Sequence, residues 1–221
     1  MNVTLTNINK NYTTSSSFFI KKNVVRALKD FSMHFRGGNI YALTGKNGAG
    51  KTTLLKIMAG IVSQDSGNIQ IDGRDASRGQ VVYVSSNEAA FFEHLTVKQN
   101  IYFFSEIAGL TLEAIKARLE LYSRMFCLEE HLPKKCWQLS SGTKRKIAIV
   151  LGLMRGSRIL LIDEIFDKID KGSRQVLTKH LREIVEKEGN IVVYTSHLSE
   201  HVPEFYDEII EIDEGALVNV R

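Results

Sequence analysis

The stretch Gly45-Lys46-Asn47-Gly48-Ala49-Gly50-Lys51-Thr52-Thr53 narrows what this chain can fold into more than any other. It fits the pattern G-x-x-x-x-G-K-[ST], and its flanks agree with it. The apolar run Ile40-Tyr41-Ala42-Leu43 precedes it, and the apolar helical start Leu54-Leu55-Lys56-Ile57-Met58 follows. A strand, a glycine turn and a helix N-terminus in that order predict an anion cradle. Glycines let the backbone curl until successive N–H groups face inward, and the helix dipole adds positive potential at the same point. Lys51 has the reach to meet the outer phosphates of a nucleoside triphosphate, and the Thr52 hydroxyl is placed to ligate Mg²⁺.

A phosphate cradle of this kind needs an α/β core, and the remaining sequence supplies one. Val3-Thr4-Leu5, Phe31-Ser32-Met33-His34-Phe35 and Asn68-Ile69-Gln70-Ile71-Asp72-Gly73 alternate apolar with polar residues, as half-buried antiparallel strands do. Residues 13–23 read as a loop. The continuous apolar runs Val81–Val84, Ile159–Ile162 and Ile191–Tyr194 suit strands buried on both faces of a parallel sheet. Residues 95–155 read as mostly helical, with Ile147, Val150, Leu151 and Met154 on one face. That stretch is too long for a single crossover and reads as an inserted helical lobe. Leu177, Leu181, Ile184 and Val185 mark a later amphipathic helix that Gly189 can stop, and Ile209–Val218 reads as a hairpin. The expected fold class is therefore α/β: a P-loop NTPase core with a mainly parallel sheet, an N-terminal antiparallel β subdomain and an inserted α-helical subdomain.

Composition excludes several function classes. With 43% apolar and 24% charged residues, the 221-residue chain reads as one soluble globular domain with a lobe. No apolar run approaches a membrane span, and no secretory signal opens the chain. The net charge of +4 is spread over small groups such as Lys21-Lys22, Lys134-Lys135 and Lys144-Arg145-Lys146, so nucleic acid is not an expected partner. Cys127 and Cys136 fit neither a zinc pattern nor a disulfide framework and read as buried or idle thiols.

Two further motifs carry chemistry. Ile159-Leu160-Leu161-Ile162-Asp163-Glu164 delivers two carboxylates at the C-terminal end of an apolar strand, where α/β proteins bind ligands. Asp163 is the expected partner of Thr52 on Mg²⁺, and Glu164 the expected general base or orienter of water. Leu139-Ser140-Ser141-Gly142-Thr143 precedes the basic triplet, and Ser140 or Ser141 can cap the helix that starts there.

Taken in order, Walker A (Gly45–Thr53), a signature-like LSSGT (Leu139–Thr143), Walker B with its glutamate (Ile159–Glu164), the acid Asp170 and the late His197 resemble the ATP-binding cassette (ABC) ATPases over nearly the whole chain. The resemblance implies a single cassette, with a RecA-like core and antiparallel β subdomain over about 1–94 and 156–221, and a helical signature subdomain over about 95–155. It implies ATP and Mg²⁺ as ligands, with Asn47, Gly48, Ala49, Gly50, Lys51, Thr52 and Thr53 around the phosphates. Tyr12 looks like the aromatic that stacks on adenine, with Phe18 and Phe19 as rivals. The resemblance further implies a head-to-tail dimer, homo- or heteromeric, in which Ser140, Ser141 and Gly142 meet the ATP held by the partner copy. Asp170 would lie at the dimer seam, and His197 would contact the γ-phosphate and position Glu164.

A separate transmembrane subunit would dock beside the loop after Val84, which places this chain peripherally on the cytoplasmic side of the membrane. Of Phe91, Phe92, Tyr102, Phe103 and Phe104 in that region, most are expected in the core of the lobe, with one or two lining the docking groove. The chain departs from the family pattern at three places. Asn87, or by another count Ser86, stands where the family has a glutamine that ligates Mg²⁺. The signature opens on serine rather than glycine and ends on threonine, and Ile165-Phe166 follows the glutamate where the family has Pro-Thr. The variant signature and the phenylalanines point to a bacterial exporter. The competing expectations are a soluble ABC ATPase acting on nucleic acid or ribosomes, and a regulatory cassette that binds ATP but hydrolyses it weakly.

Overall fold

The computed structural model describes residues 1–15, 22–75, 81–85, 91–196 and 205–221, which form two compact units. The first comprises Met1–Tyr83, Arg158–Asp163 and Arg182–Arg221; the second comprises Val84–Ser157 and Glu164–Leu181.

Two sheets build the first unit. The antiparallel sheet has the order β2-β1-β4-β5, with β1 at Asn2–Ser15, β2 at Lys22–Arg36, β4 at Ser66–Ile71 and β5 at Arg74–Asp75. The other sheet has the order β10-β9-β3-β8-β7-β6, with β3 at Asn39–Thr44, β6 at Val81–Ser85, β7 at Ile159–Asp163, β8 at Ile191–Ser196, β9 at Glu208–Asp213 and β10 at Ala216–Val220. Strands β9, β3, β8 and β7 run parallel, and β10 returns antiparallel to β9. The apolar runs lie where their composition requires: every residue of β7 and of β8 is buried. One core joins both sheets to helix α1 (Lys51–Met58), with Leu5, Phe31 and Phe35 from the antiparallel sheet meeting Leu54, Ile57, Leu161 and Val193.

Of the loop expected over residues 13–23, residues 13–15 and 22–23 are strand instead, and 16–21 lie outside the described residues. Strands β1 and β2 continue as a ladder in which Thr13 faces Val24, Thr14 faces Asn23 and Ser15 faces Lys22. The Thr/Ser composition there reads as turn-forming, but cross-strand pairing overrides so weak a local preference.

The second unit packs α2 (Val97–Ile107), α3 (Leu112–Met125) and α4 (Ser141–Met154) around Ile101, Ile115, Leu119, Phe126, Ile147, Val150 and Met154. A capping box starts α2: Gln99 N–H donates to Thr96 Oγ1 at 3.1 Å, and Thr96 N–H donates to Gln99 Oε1 at 2.8 Å. The amphipathic helix expected around Leu177 is α5 (Lys171–Glu188), and Gly189 ends it at φ 66°.

The phenylalanines correct the sequence reading. Of the five aromatics, only Phe91 is buried; Phe92 and Phe103 remain 48% and 40% exposed. Phe92, Phe103 and Phe104 form a cluster of their own, with centroids 5.0–5.7 Å apart: Phe92 and Phe104 stack, and Phe103 meets each of them edge-on. Helix α2 turns Val97, Ile101 and Ser105 inward, so at 3.6 residues per turn Phe103 falls on the outer face. Of the thiols, Cys136 is buried, and burial pushes it above its ordinary pKa; Cys127 is exposed. Among the described residues no helix is long and apolar enough to cross a membrane.

Candidate functional site

The first unit carries the glycine-rich loop. Gly50 holds the position before α1 in the left-handed region (φ 108°), and no side chain caps the helix there. No acid occupies its first turn. The opening N–H groups of α1 lack intrahelical acceptors by geometry, so they face an anion-binding mouth. Close packing dictates two of the loop's glycines, Gly45 and Gly50. A Cβ on Gly45 would lie 2.1 Å from the Ile212 carbonyl oxygen, and one on Gly50 would lie 2.4 Å from that of Ala27. Hydrogen bonds tie the loop to the tip of the β9–β10 hairpin, where Gly215 N–H donates to the Ala49 carbonyl at 3.0 Å and Lys29 N–H donates to that of Gly215 at 2.8 Å.

Lys51, only 6% exposed, folds back over this loop. Its Nζ donates to the carbonyls of Gly45 at 2.6 Å and Lys46 at 3.0 Å. Ala49 is buried, Asn47 and Gly48 are exposed, and Gly50, Thr52 and Thr53 are half-buried. Tyr12, on β1 opposite Val25, keeps its ring 39% exposed, with Lys10 Nζ 5.6 Å from the ring centroid.

Asp163 ends β7 and is 5% exposed. Its two oxygens are each held by a hydroxyl: Thr195 Oγ1 donates to Oδ1 at 2.9 Å, and Tyr83 Oη donates to Oδ2 at 2.7 Å. Each carboxylate oxygen has two acceptor sites, so both retain capacity for a further partner. Thr52 and Asp163 offer hard oxygen donors of the kind Mg²⁺ takes, alongside water. Sequence reasoning missed Tyr83 and Thr195. Part of their signal was available: both stand on the strands that flank β7 in the sheet, Tyr83 midway along β6 and Thr195 next to the C-terminal end of β8, the end from which α/β folds present ligands.

Glu164 begins the later segment of the second unit and lies in the left-handed region (φ 54°), with Lys168 Nζ at 2.9 Å from its Oε2. The signature-like segment starts α4. Ser140 is the N-cap: its Oγ accepts from Thr143 N–H at 3.2 Å and lies 2.9 Å from Thr143 Oγ1. Ser140 and Ser141 are exposed and Gly142 is half-buried. A Cβ on Gly142 would meet nothing nearer than Ser140 Oγ at 3.9 Å, so packing inside this chain does not require a glycine there.

The basic triplet after it is engaged within its own unit. Lys144 pairs with Glu93 at 3.0 Å, Lys146 pairs with Asp170 at 2.7 Å, and Arg145 Nη1 donates to the Lys168 carbonyl at 3.2 Å. Asp170 also accepts from Ser173 N–H and Oγ, both at 2.9 Å, in the geometry of a helix cap for α5. The Lys146 ammonium and the Ser173 N–H hold the Asp170 carboxyl well below the usual carboxylate range. His197 and Asn87, like Ser86, Phe18 and Phe19, lie outside the described residues. Among the described residues no group of three or more His, Cys, Asp or Glu is gathered to hold a metal ion.

Comparison with known proteins follows the same outline. The profile of the family described as "ABC transporter" matches residues 28–167. The ABC transporter ATP-binding protein NatA of Bacillus subtilis is 29% identical over 210 residues, covering 92% of this chain and 85% of NatA. The spermidine/putrescine import ATP-binding protein PotA of Protochlamydia amoebophila is 34% identical over 199 residues, covering 88% of this chain and 53% of PotA. The chain thus spans about half the length of that import relative. Among solved structures, the dimeric ATP-binding cassette MJ0796, in a post-hydrolysis state bound to ADP and Pi, superposes with a TM-score of 0.84 over 99% of this chain and 97% of that one. At 21% identity, that likeness speaks for the fold.

Proposed function

The chain belongs to the ABC transporter family, and from that premise we propose that it is the ATP-binding and ATP-hydrolysing subunit of a transporter whose membrane-spanning part is a separate polypeptide. Family membership makes it an ABC ATPase. The observation that carries the fuller reading is the uncapped N-terminus of α1, with Lys51 buried beside it, in the same unit as the doubly held Asp163.

Phosphoryl transfer to water calls chiefly for positioning and charge stabilisation. Residues Asn47–Thr53 bind the phosphates through backbone N–H groups and the Lys51 ammonium, and Tyr12 stacks on the adenine. Thr52 and Asp163 would hold Mg²⁺, which neutralises phosphate charge when bound, and Asn87 is a weaker candidate ligand. Glu164 orients the attacking water, and His197 steadies the γ-phosphate. Ser140, Ser141 and Gly142 meet the ATP of a second copy, and the exposure of the two serines supports that reading. Asp170 lies at the seam between copies. Residues 1–94 and 156–221 act as the nucleotide-binding core, and 95–155 act as the signature subdomain.

The cluster of exposed Phe92 and Phe103 with half-buried Phe104 supports docking of a transmembrane partner, which holds the chain peripherally at the cytoplasmic face. Export is the direction we favour, on the variant signature and these phenylalanines. Import is the second reading, favoured by the 34% identity to a protein named for spermidine/putrescine import.

Two measurements test the site. Lys51→Ala removes a charged hydrogen-bond donor worth about 1.5–3 kcal/mol, so ATP affinity by calorimetry should fall about 10- to 100-fold; unchanged affinity would remove the phosphate cradle. Tyr83→Phe removes one of the two hydroxyls that orient Asp163. The expected loss is about 10- to 100-fold in kcat/KM for ATP at limiting Mg²⁺. An unchanged kcat/KM would mean that Asp163 needs no such support.

A further inference from the structure

We propose that Lys168 is a positioning residue that holds Glu164 in a resting pose, so that turnover requires the Lys168–Glu164 ion pair to open. The inference rests on the role given to Glu164 above. It begins from a sequence detail that the family resemblance leaves unused: a lysine four residues after the glutamate, in Glu164-Ile165-Phe166-Asp167-Lys168.

The two side chains meet at 2.9 Å and are each about one-third exposed, Lys168 at 36% and Glu164 at 35%. Exposed ion pairs contribute little when both partners wander, because ordering two long side chains offsets the attraction. Here the backbone that carries them is anchored. Ile165, Phe166 and Ile169 are buried, and a short 3-10 turn spans Phe166–Lys168, closed by Lys168 N–H donating to the Ile165 carbonyl at 2.9 Å. From the other side Arg145, on the signature helix α4, donates to the Lys168 carbonyl at 3.2 Å. Lys168 is thus presented from a fixed platform, and part of the ordering cost is already met. Glu164 itself sits in the left-handed region, which a non-glycine residue keeps only where its surroundings hold it.

The chemical consequence follows from what a water-orienting carboxylate must do. It must offer a lone pair to the attacking water. An oxygen engaged by an ammonium at 2.9 Å is a poorer acceptor, and it is drawn toward its own 3-10 turn. Because Arg145 and the Lys146–Asp170 pair fasten this turn to α4, a ligand that displaces the start of α4 also acts on the platform that carries Lys168.

The test is steady-state ATP hydrolysis by the purified full chain. Lys168→Met keeps the aliphatic stem and removes the charge, and Lys168→Ala removes both. Each is expected to raise kcat about threefold to tenfold while KM for ATP stays within about twofold; tenfold corresponds to 1.36 kcal/mol of barrier. Lys168→Arg keeps a cation at the position and should bring kcat back toward the parent value. In a Glu164→Gln background, Lys168→Met should lose its accelerating effect. A kcat that is unchanged or lower in both Lys168 variants would overturn the proposal, as would an acceleration that persists without the Glu164 carboxylate. If Glu164→Gln alone hydrolyses ATP at the parent rate, the reading of Glu164 fails first and takes this one with it. If that variant is inactive and Lys168→Met changes nothing, only the restraint fails.

Discussion

Glu164→Gln is expected to bind ATP with the parent affinity and to hydrolyse it about 10²- to 10⁴-fold more slowly, the usual contribution of a positioned acid–base group. The substitution keeps the shape and one carbonyl oxygen, so the polypeptide geometry at φ 54° can survive it. The phosphate-binding loop is built from Gly45–Thr53 in the other compact unit, where Lys51 Nζ donates to the backbone carbonyls of Gly45 and Lys46, and the substitution leaves those residues unchanged. Binding and turnover should therefore separate. Calorimetry measures the first and phosphate release the second, and light scattering in ATP should register a dimer that persists because its fuel is not consumed. Brisk hydrolysis by this variant would end the assignment of Glu164.

Gly142→Asp is expected to leave the isolated chain as stable as the parent, or more stable by up to about 1 kcal/mol, while lowering ATP hydrolysis at least about 10²-fold. The two halves of this expectation have separate causes. Within the chain there is room for the side chain, since the nearest atom to a built Cβ is Ser140 Oγ at 3.9 Å. An acid in the first turn of α4 also complements the helix dipole, and that turn now contains none. Toward a second copy the same carboxylate would stand where a phosphate is to be received, adding like charge and blocking the backbone N–H. Thermal melting and steady-state hydrolysis on one preparation separate the two effects. Parent-level hydrolysis by Gly142→Asp would remove the signature from the reaction, and with it the argument for a shared nucleotide.

Much of this architecture was legible because it rests on strong local patterns. A G-x-x-x-x-G-K-[ST] run between a strand and a helix has few alternative folds, and the runs at Ile159 and Ile191 had to be buried on both faces. The features that escaped depend on partners distant in sequence. Nothing local to Tyr83 says that its hydroxyl reaches a carboxylate 80 positions away, and nothing local to Thr195 says the same across 32. Residues 13–15 and 22–23 looked like loop because their composition favours turns, but strand pairing recruited them. The phenylalanines of α2 were misread for the opposite reason. Hydrophobicity alone argues for burial, and it was the register of the helix that turned Phe103 outward. Asp170 was read as a residue facing a partner, and the structure adds a local duty as the cap of α5 that residue spacing at Asp170–Ser173 could have suggested.

The contact between the glycine-rich loop and the β9–β10 hairpin has a practical bearing on how this protein is handled. Gly45 lies flush against the Ile212 carbonyl, and Ala49 is bonded to Gly215, so the curvature of the cradle is moulded by a segment more than 160 positions downstream. Tail trimming that reaches this hairpin, or a peptide tag spliced into its tip, would therefore slacken the cradle from behind without touching any group that meets nucleotide. A preparation altered in that way would resemble an active-site lesion, although every motif would still be intact in its sequence.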